Sequence, residues 1–242
     1  MTSPFLSIII PARNEEFRLP QALGQVFAFL QKQDFTSEVV VVENGSQDRT
    51  LEVAQGFTAT FPTLRVLHED LPGKGRAARA GILAAQGAHR FLADADFSMP
   101  VEQITRFLPP ACNSDIAIAS REAPGAVRYD EPRYRHLTGR VFNLFIRSLA
   151  LPGLQDTQCG FKCFKAGVAE DIFRYQTLNG WSFDVELLVI ARRRGYSITE
   201  IDIPWTYTSG SKINVLRDSW RMFLDLLAIR RNARRGVYDL PA

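Results

Sequence analysis

Short runs of apolar residues without polar alternation recur in the first half of the chain, at 6–10, 38–43, 64–68, 90–94 and 115–119. Such runs predict strands that are buried on both faces, as in a parallel sheet. The stretches between the first four runs have helical character, at 15–33, 47–57 and 74–86. Because the strands follow one another at about 25–30 residues, we predict strand–helix–strand crossovers and an α/β fold.

The pattern changes after residue 120, where a stretch rich in arginine and interrupted by proline predicts a long loop at 121–135. Beyond it the sequence predicts a helix at 139–150, a strand at 160–164, a helix at 183–194, a strand at 197–205 and a helix at about 214–234. Because no linker-like tract divides the chain, we expect a single domain over 1–242. Its parts are a first half, an α+β second half and a terminal helix, at 1–120, 121–213 and 214–235.

The composition is that of an ordinary globular protein, but the positive charge is unevenly placed. Of the 242 residues, 46% are apolar and 23% are charged, and the net charge is +3. Residues 121–147 hold six arginines against three acids, and residues 212–235 hold seven basic residues against two acids. A basic second half favours an anionic partner: phosphate, nucleic acid or an acidic membrane surface.

Three cysteines are a sparse and odd set, which favours a reduced, cytosolic setting. The N-terminus lacks a basic segment and reaches proline at position 11, so we do not expect a secretory signal. No apolar run approaches the roughly 20 residues that cross a bilayer. We therefore expect a chain that is soluble or lies on a surface.

Four polar or glycine-containing loops follow predicted strands: PARNEE (11–16), ENGSQD (43–48), DLPGKG (70–75) and DADFS (94–98). In open parallel sheets, ligands bind outside the carboxyl ends of the strands, so we expect one site here. None of the loops has the spacing of a P-loop, and GKG at 73–75 lacks the third glycine of a dinucleotide fingerprint. A P-loop or dinucleotide function is therefore disfavoured.

Together these loops resemble the nucleotide-sugar half of the inverting family 2 glycosyltransferases of the GT-A type. The matching motifs occur in the family's order, as IIIPARNEE, VVVENGSQDRT, GKGRAARAGILAAQG and DAD. The second half resembles the dolichyl-phosphate β-glucosyltransferase and dolichyl-phosphate mannose synthase group, in LQDTQCGFKCF (154–164), GWSFDVELL (180–188) and WTYTSGSKI (205–213).

This resemblance implies a GT-A (Rossmann-like), mostly parallel sheet flanked by helices, with residues 1–120 for the nucleotide sugar and 121–213 for the acceptor. It implies a metal-dependent, inverting transfer of a hexose from a nucleotide sugar to a polyprenyl (dolichyl-type) phosphate. UDP-glucose is the first choice of donor and GDP-mannose the second. No nucleic-acid partner is expected.

Asp94 and Asp96 follow the fourth predicted strand, with only Ala95 between them. Two neighbouring carboxylates repel each other unless a cation or water screens them. Such hard oxygen ligands suit Mg²⁺ or Mn²⁺ bridging a diphosphate, so we predict a metal site; the alternative is a solvated turn. Ser98 is the candidate third ligand, although family members often have an amide side chain at this place.

The resemblance implies a base and ribose pocket lined by Pro11, Ala12, Arg13 and Glu15, with Glu43 contacting the uracil or ribose. Glu15 and Glu16 have a simpler alternative role, because acidic residues favour the start of a helix. Lys74 is placed to meet phosphates at a helix N-terminus; the alternative is an exposed loop lysine. The predicted nucleotide-sugar set is completed by Gly45, Asp94, Ala95 and Asp96.

A polyprenyl phosphate is already anionic, because the second pKa of a phosphate is about 6. Its attack therefore needs little help from a base, and the three histidines lie outside the strong motifs, at 68, 89 and 136. The acceptor does need positive charge, for which we predict Arg121, Arg133 and Lys212, with substitutes Arg128, Arg135 and Arg140. The alternative is a solvated run of charges, which is the better interpretation of any single arginine in 128–140.

The predicted catalytic residues are Asp96, Asp184 and Lys212. Asp184 either acts as a base, positions the sugar in a sugar site with Gly180 and Trp181, or orients an arginine or lysine. Trp181 fits the hydrophobic core equally well, and Glu186 is expected to be structural.

The terminal helix has an apolar face of Leu216, Trp220, Phe223 and Leu227, widened by Val215, Met222, Leu226 and Ile229. It ends in a basic cluster of Arg230, Arg231, Arg234 and Arg235. Such a helix suits a membrane interface or, equally, packing on the core or in a homodimer. We expect a cytoplasmic protein that is peripheral on the cytosolic membrane face.

Two other classes of function stay open at this point. A sugar nucleotidyltransferase also uses an α/β sheet, a divalent metal and a nucleotide, but it should carry a glycine-rich loop after the first strand, where PARNEE has no glycine. A non-catalytic membrane adaptor would use the basic helix, but it would not require the paired aspartates.

Overall fold

The computed structural model describes residues 3–132, 143, 146–148, 150–207 and 215–239, with the backbone alone at 215–219. The described strands are β1 (Leu6–Ala12), β2 (Ser37–Asn44), β3 (Leu64–Glu69), β4 (His89–Leu92), β5 (Ile116–Ser120), β6 (Val127–Tyr129), β7 (Lys162–Lys165), β8 (Ile198–Asp202) and β9 (Pro204–Thr206). The described α-helices are α1 (Leu19–Leu30), α2 (Thr50–Thr58), α3 (Lys74–Ala84), α4 (Ala166–Arg174), α5 (Phe183–Arg193) and α6 (Val215–Arg234). A 3₁₀-helix spans Val101–Phe107.

One seven-stranded sheet organises the described chain, in the order β3-β2-β1-β4-β7-β5-β8. Its strands are parallel except β7, which is antiparallel to both β4 and β5. A second, two-stranded parallel sheet pairs β6 with β9. The mostly parallel sheet flanked by helices confirms the predicted fold class.

Alternate residues of each central strand enter two different apolar layers. Ile8 and Val39 pack in the layer that contains α1, whereas Ile9 and Val40 pack in the layer that contains α3 and α5. This follows from the period of two in a strand. The sheet is therefore buried on both faces, as the continuous apolar runs predicted.

The helix predicted from residue 15 begins instead at Leu19, with a proline in its first turn. Residues before it form a turn in which the Glu15 carbonyl accepts hydrogen bonds from the amides of Arg18 and Leu19. No acidic residue therefore lies in the first turn of α1. The interpretation of Glu15 and Glu16 as residues that favour a helix start is wrong.

The second half differs from the prediction in several places. The predicted loop 121–135 contains β6, and the predicted strand 197–205 divides into β8 and β9 at Pro204, which has no amide to donate. The 3₁₀-helix and α4 were not predicted, and β7 begins two residues later than expected. The predicted helix 139–150 lies mostly outside the described residues; residues 143 and 146–148 within it are helical.

Candidate active site

The four predicted loops meet at the carboxyl edge of β1, β2, β3 and β4. The backbone amide of Asn14 donates to Ser46 Oγ at 3.0 Å, and Oδ1 of Asn14 accepts from the amide of Gln47 at 2.8 Å. The third and fourth loops join where Lys74 Nζ lies 2.6 Å from Asp94 Oδ1. The four loops therefore lie together at one edge of the sheet.

Asn44 and Gly45, at the end of β2, contact the DLPGKG loop (70–75). Asn44 Oδ1 accepts from the amide of Gly73 at 2.7 Å, and its Nδ2 donates to the Leu71 carbonyl at 2.7 Å. Gly45 has a φ of +58°, and a Cβ there would lie 2.9 Å from the Asp70 carbonyl oxygen. Gly45 therefore allows the close approach of the loop that carries Lys74.

The carboxylates of Asp94 and Asp96 are offset by the ammonium of Lys74. Burial and the charge of Asp94 raise the pKa of Asp96, against the hydroxyl and amide of Ser98, which hydrogen-bond to it. Burial would lower the pKa of Lys74, but the carboxylates of Asp94, Asp184 and Asp96 raise it. Its side chain is 19% exposed, which is not the environment of an exposed loop lysine.

Among the residues that the structure describes, no group of three or more histidine, cysteine or acidic side chains is arranged to hold a metal. The Asp94–Asp96 pair offers two carboxylates, and the Ser98 hydroxyl is directed at Asp96. Beyond the described residues, further ligands could be supplied by the rest of the chain, by substrate or by water.

Gly160, which the sequence analysis did not single out, lies directly against Asp94. A Cβ at this position would be 2.0 Å from Asp94 Oδ2, so only glycine leaves room for the carboxylate. The available signal was the glycine of the CGFK sequence, two residues before β7.

Asp184 lies in the first turn of α5 and is buried beside Lys162, the first residue of β7. The Lys162 Nζ is 2.8 Å from Asp184 Oδ1. Burial raises the pKa of Asp184, while Lys162 and Lys74 act in the opposite direction. Lys162 was also missed, because a lysine in an apolar strand pattern gives no sign of its partner.

Trp181 and Gly180 precede α5 on the open side of the site. Trp181 is 37% exposed, and Lys74 Nζ lies 5.4 Å from the centre of its ring. The alternative of a core tryptophan is therefore wrong. A Cβ at Gly180 would meet nothing within 4 Å, so open space surrounds this part of the loop.

The amides at the start of α3 are already engaged within the protein. The Asn179 carbonyl accepts from the amides of Gly75 at 3.0 Å and Arg76 at 3.4 Å. Its loop is held by buried Glu186, whose carboxylate accepts from the amides of Thr177 and Leu178. The positive charge offered at this place is thus the Lys74 side chain rather than the helix N-terminus.

The base-side residues have partners that sequence reasoning did not foresee. Glu43 is buried and accepts from the amide of Ser46 at 2.5 Å, and its other oxygen lies 2.5 Å from Nδ1 of His68. His68 lies outside the motifs in sequence but contacts the motif residue Glu43 in the fold. Its pKa is raised by Glu43 and by Asp70.

The remaining predicted residues of the base pocket follow β1. Glu15 is paired with Arg18, whose Nε lies 2.6 Å from Oε2. Ala12 is buried, Pro11 is half-buried and Arg13 is exposed. Ala95 is buried between the two aspartates.

The predicted acceptor residue Arg121 is bound to a carboxylate inside the protein. Its Nε and Nη2 donate to both oxygens of Asp156 at 2.6 and 2.9 Å, and its guanidinium lies 5.5 Å from the Trp205 ring centre. The substitute Arg128 is likewise paired, with Glu122 and Glu131. The other candidates, Arg133, Lys212, Arg135 and Arg140, lie outside the described residues, as does His136.

Helix α6 has two apolar stripes. Leu226 and Ile229 are buried in the core, whereas Trp220, Leu224 and Leu227 are exposed. The prediction of one continuous apolar face is therefore wrong for Leu226 and Ile229; the side chains of Val215 and Leu216 are not described. Its last turns line a concavity of about 330 Å³ with Leu227, Arg230, Arg231, Arg234 and Arg235. No described helix is long and apolar enough to cross a membrane.

Comparison with solved structures shows the same fold in a mycobacterial enzyme. Glucosyl-3-phosphoglycerate synthase from Mycobacterium tuberculosis, crystallised with Mn²⁺ and UDP-glucose, aligns with a TM-score of 0.67 at 16% identity. The alignment covers 99% of this chain and 80% of that one. A complex of the same enzyme with UDP also gives 0.67, at 17% identity, over 93% of this chain and 80% of that one.

Curated relatives match along almost the whole chain. The dolichyl-phosphate beta-glucosyltransferase of Drosophila melanogaster is 35% identical over 240 residues, which cover 93% of this chain and 74% of the relative. The human enzyme of that name is 34% identical over 251 residues, covering 97% and 78%. The one from Dictyostelium discoideum is 30% identical over 253 residues, covering 98% and 77%.

The family model described as glycosyl transferase family 2 matches residues 7–173, a range that includes all four loops, the aspartate pair and the buried lysine of β7. These findings place the chain with the glycosyltransferases rather than with sugar nucleotidyltransferases or non-catalytic adaptors. The chain belongs to glycosyl transferase family 2, in the group of the dolichyl-phosphate β-glucosyltransferases.

Proposed function

We propose that this enzyme transfers glucose, with inversion, from UDP-glucose to a polyprenyl (dolichyl-type) phosphate. One observation carries the proposal: enzymes named for this reaction align with at least 93% of the length of this chain. The described site supports it, because a carboxylate pair, a lysine and an exposed tryptophan converge at the carboxyl edge of the sheet. GDP-mannose is the alternative donor.

Asp94 and Asp96 are the residues that would hold Mg²⁺ or Mn²⁺. The donor set fits such an ion, because the two carboxylates follow β4 with only Ala95 between them, and hard cations prefer carboxylate oxygens. The solved neighbour was crystallised with Mn²⁺ and UDP-glucose, which supports the same requirement. When bound, the metal would stabilise the leaving diphosphate.

Lys74, which contacts Asp94, would meet the diphosphate of the donor beside the carboxylates. Its ammonium is fixed between Asp94 and the face of Trp181. In the proposed complex Trp181 forms one wall of the sugar site. The acceptor is already anionic near neutral pH, so buried Asp184 positions the sugar and is not needed as a base.

The acceptor phosphate would be bound by Arg133 and Lys212. Arg121 contributes by ordering this side of the site, since its charge is held by Asp156.

The exposed stripe of Trp220, Leu224 and Leu227, with the arginines that follow it, supports contact with an anionic membrane surface. The cytosolic face and a homodimer are further proposals. Strands from both halves share one sheet, which supports a single domain over 1–242.

Incubation of the purified chain with radiolabelled UDP-glucose, polyprenyl monophosphate and Mn²⁺ tests the proposal. Labelled glucose should move into the lipid fraction, and Asp96→Ala should lose this product. Product from GDP-mannose alone would replace the donor assignment. No lipid-linked sugar from either donor would overturn the proposal.

Binding to vesicles tests the membrane contact separately. The chain should sediment with vesicles that contain anionic lipid and not with neutral ones. Replacing Arg230, Arg231, Arg234 and Arg235 by glutamine should weaken this binding at least tenfold, because each basic residue near such a surface contributes about 1 kcal/mol. Equal binding of the variant would remove this role from the helix.

A further inference from the structure

Lys162 is a wholly buried cation in the middle of the sheet. It begins β7, where it pairs with Leu92 of β4 and Ile118 of β5, and its side chain is 0% exposed. Removing an ammonium from water costs several kcal/mol unless partners compensate. An apolar residue would fill this strand position without that cost, so the contacts of the ammonium need an explanation.

The ammonium contacts one backbone group and one side chain. Nζ donates to the carbonyl of Cys159, three residues earlier in the chain, and lies 2.8 Å from Asp184 Oδ1. The Cys159 contact is local and ties the ammonium to the turn before β7. The position of the ammonium is therefore set by β7 and the turn before it, and it does not depend on α5, the helix that carries Asp184.

The Asp184 carboxylate is paired with this charge. The Lys162 ammonium lies 2.8 Å from Oδ1, and both side chains are buried. A carboxylate has about four lone-pair sites, so one ion pair leaves it able to accept a hydroxyl of a bound sugar.

We propose that Lys162 is a positioning residue, which holds the Asp184 carboxylate against the hexose of the donor. The inference rests on the proposed function, because it assigns a sugar to the space beside Asp184. Lys162 itself touches no substrate. The competing interpretation is an ion pair that only stabilises the fold.

Arg90 provides a matched control for that interpretation. It is a buried cation on β4, the strand next to β7, and its side chain is 5% exposed. Its guanidinium donates to the Ile82 carbonyl at 2.9 Å and to Glu170 at 2.6 Å, on the side of α3 and α4. Arg90→Met should lower the melting temperature while keeping kcat within twofold.

The experiment compares Lys162→Met, Asp184→Asn, the double variant and Arg90→Met in the full chain. Calorimetry measures the Kd of UDP and of UDP-glucose, and the transfer assay gives kcat. Lys162→Met should leave the Kd of UDP within threefold, weaken UDP-glucose relative to UDP, and lower kcat at least tenfold. In the Asp184→Asn background, Lys162→Met should change kcat less than twofold.

The double variant lacks both charges and so remains informative if Lys162→Met alone does not fold. A further tenfold fall in kcat from Asp184→Asn to the double variant would overturn the proposal. So would a Lys162→Met enzyme with normal kcat, or one that loses UDP and UDP-glucose equally. If the wild type transfers no sugar, the proposed function fails, while the comparison of UDP with UDP-glucose still decides the role of Lys162.

Discussion

At the scale of single residues, the site is built from charges that are held near opposite charges and from glycines that let them approach. Asp94 lies between Lys74 and the backbone of Gly160. Asp184 is buried and paired with Lys162. The sequence reveals these charges one by one, but their pairing depends on which strands and loops become neighbours.

Gly160→Ala should nearly abolish transfer. The new methyl group would lie 2.0 Å from Asp94 Oδ2, so the carboxylate has to leave its place beside Lys74. We expect a fall in kcat/KM of at least tenfold, measured with UDP-glucose. Gly167→Ala is the control, since a Cβ at that position meets nothing within 4 Å; equal activity of the two variants would contradict the role given to Gly160.

Asp96→Asn should stabilise the metal-free protein and inactivate it. The folded state raises the pKa of Asp96, chiefly by burial, so its ionised form destabilises the fold once the pH exceeds the unfolded pKa. The melting temperature at pH 7.5 without metal should therefore rise, while transfer falls at least a hundredfold. Exposed Asp34→Asn should change neither quantity, and a lower melting temperature for Asp96→Asn would count against this account.

At the scale of elements, the loop from 176 to 179 connects the C-terminal segment with α3, the helix that begins at Lys74. The Tyr238 hydroxyl donates to buried Glu186 at 2.7 Å. Glu186 holds the amides of Thr177 and Leu178, and the next carbonyl, of Asn179, accepts from the start of α3. The position of Lys74 therefore depends on contacts far from it in sequence.

Tyr238→Phe should loosen this connection. Losing a hydrogen bond to a buried carboxylate lowers the free energy of unfolding by about 1.5–3 kcal/mol, and we expect the KM for UDP-glucose to rise at least threefold. Tyr196→Phe removes a similar bond, to Asp171 at 2.8 Å, on the far side of α4. It should cost stability without changing KM; an equal effect of both variants on KM would show that no such connection exists.

The differences between predicted and observed elements have local causes. A strand pattern continues through 197–205, but Pro204 cannot donate to the main sheet, and the chain passes to β9. Helix α1 begins late because Pro20, in its first turn, has no amide to donate to the Glu16 carbonyl. The amides of Glu15 and Glu16 donate instead to Thr50 and Asp48.

At the scale of the whole molecule, a buried ion pair joins β5 to the segment before β7. The Asp156 carboxylate accepts hydrogen bonds from Nε and Nη2 of Arg121, and the Asp156 amide donates to Glu200 of β8 at 2.9 Å. Although burial alone would raise it, the guanidinium of Arg121 lowers the pKa of Asp156 to about 2. This ion pair, with the bond to Glu200, therefore links the end of β5, the segment before β7 and β8.

Acid should therefore unfold the protein partly through Asp156. A lowered folded pKa contributes stability above the unfolded value of 3.8 and loses it as the pH falls towards 2. The free energy of unfolding should drop between about pH 4 and pH 2, and Asp156→Asn should show a shallower drop from a lower starting stability. Denaturant titrations at stepped pH measure both curves; parallel curves would exclude this contribution.

The sequence alone determined the α/β class, the parallel strands, the four loops at their carboxyl ends and the family. These follow from periodicity and from motifs that lie within a few residues of one another. It also identified Asp94, Asp96, Lys74 and Asp184 as residues to examine, because charged groups at strand and helix ends stand out against apolar runs.

Only the tertiary structure decided which of these charges remain available. It paired Arg121 with Asp156, placed His68 on Glu43, and revealed Gly160 and Lys162 behind the two aspartates. It also divided α6 into a buried and an exposed stripe. Each of these outcomes depends on contacts between residues far apart in the chain, whose energies arise only when the strands pair and the helices close over the sheet. His68 meets Glu43 because β2 pairs with β3, whereas Gly160 and Lys162 reach their partners where the antiparallel β7 lies between β4 and β5.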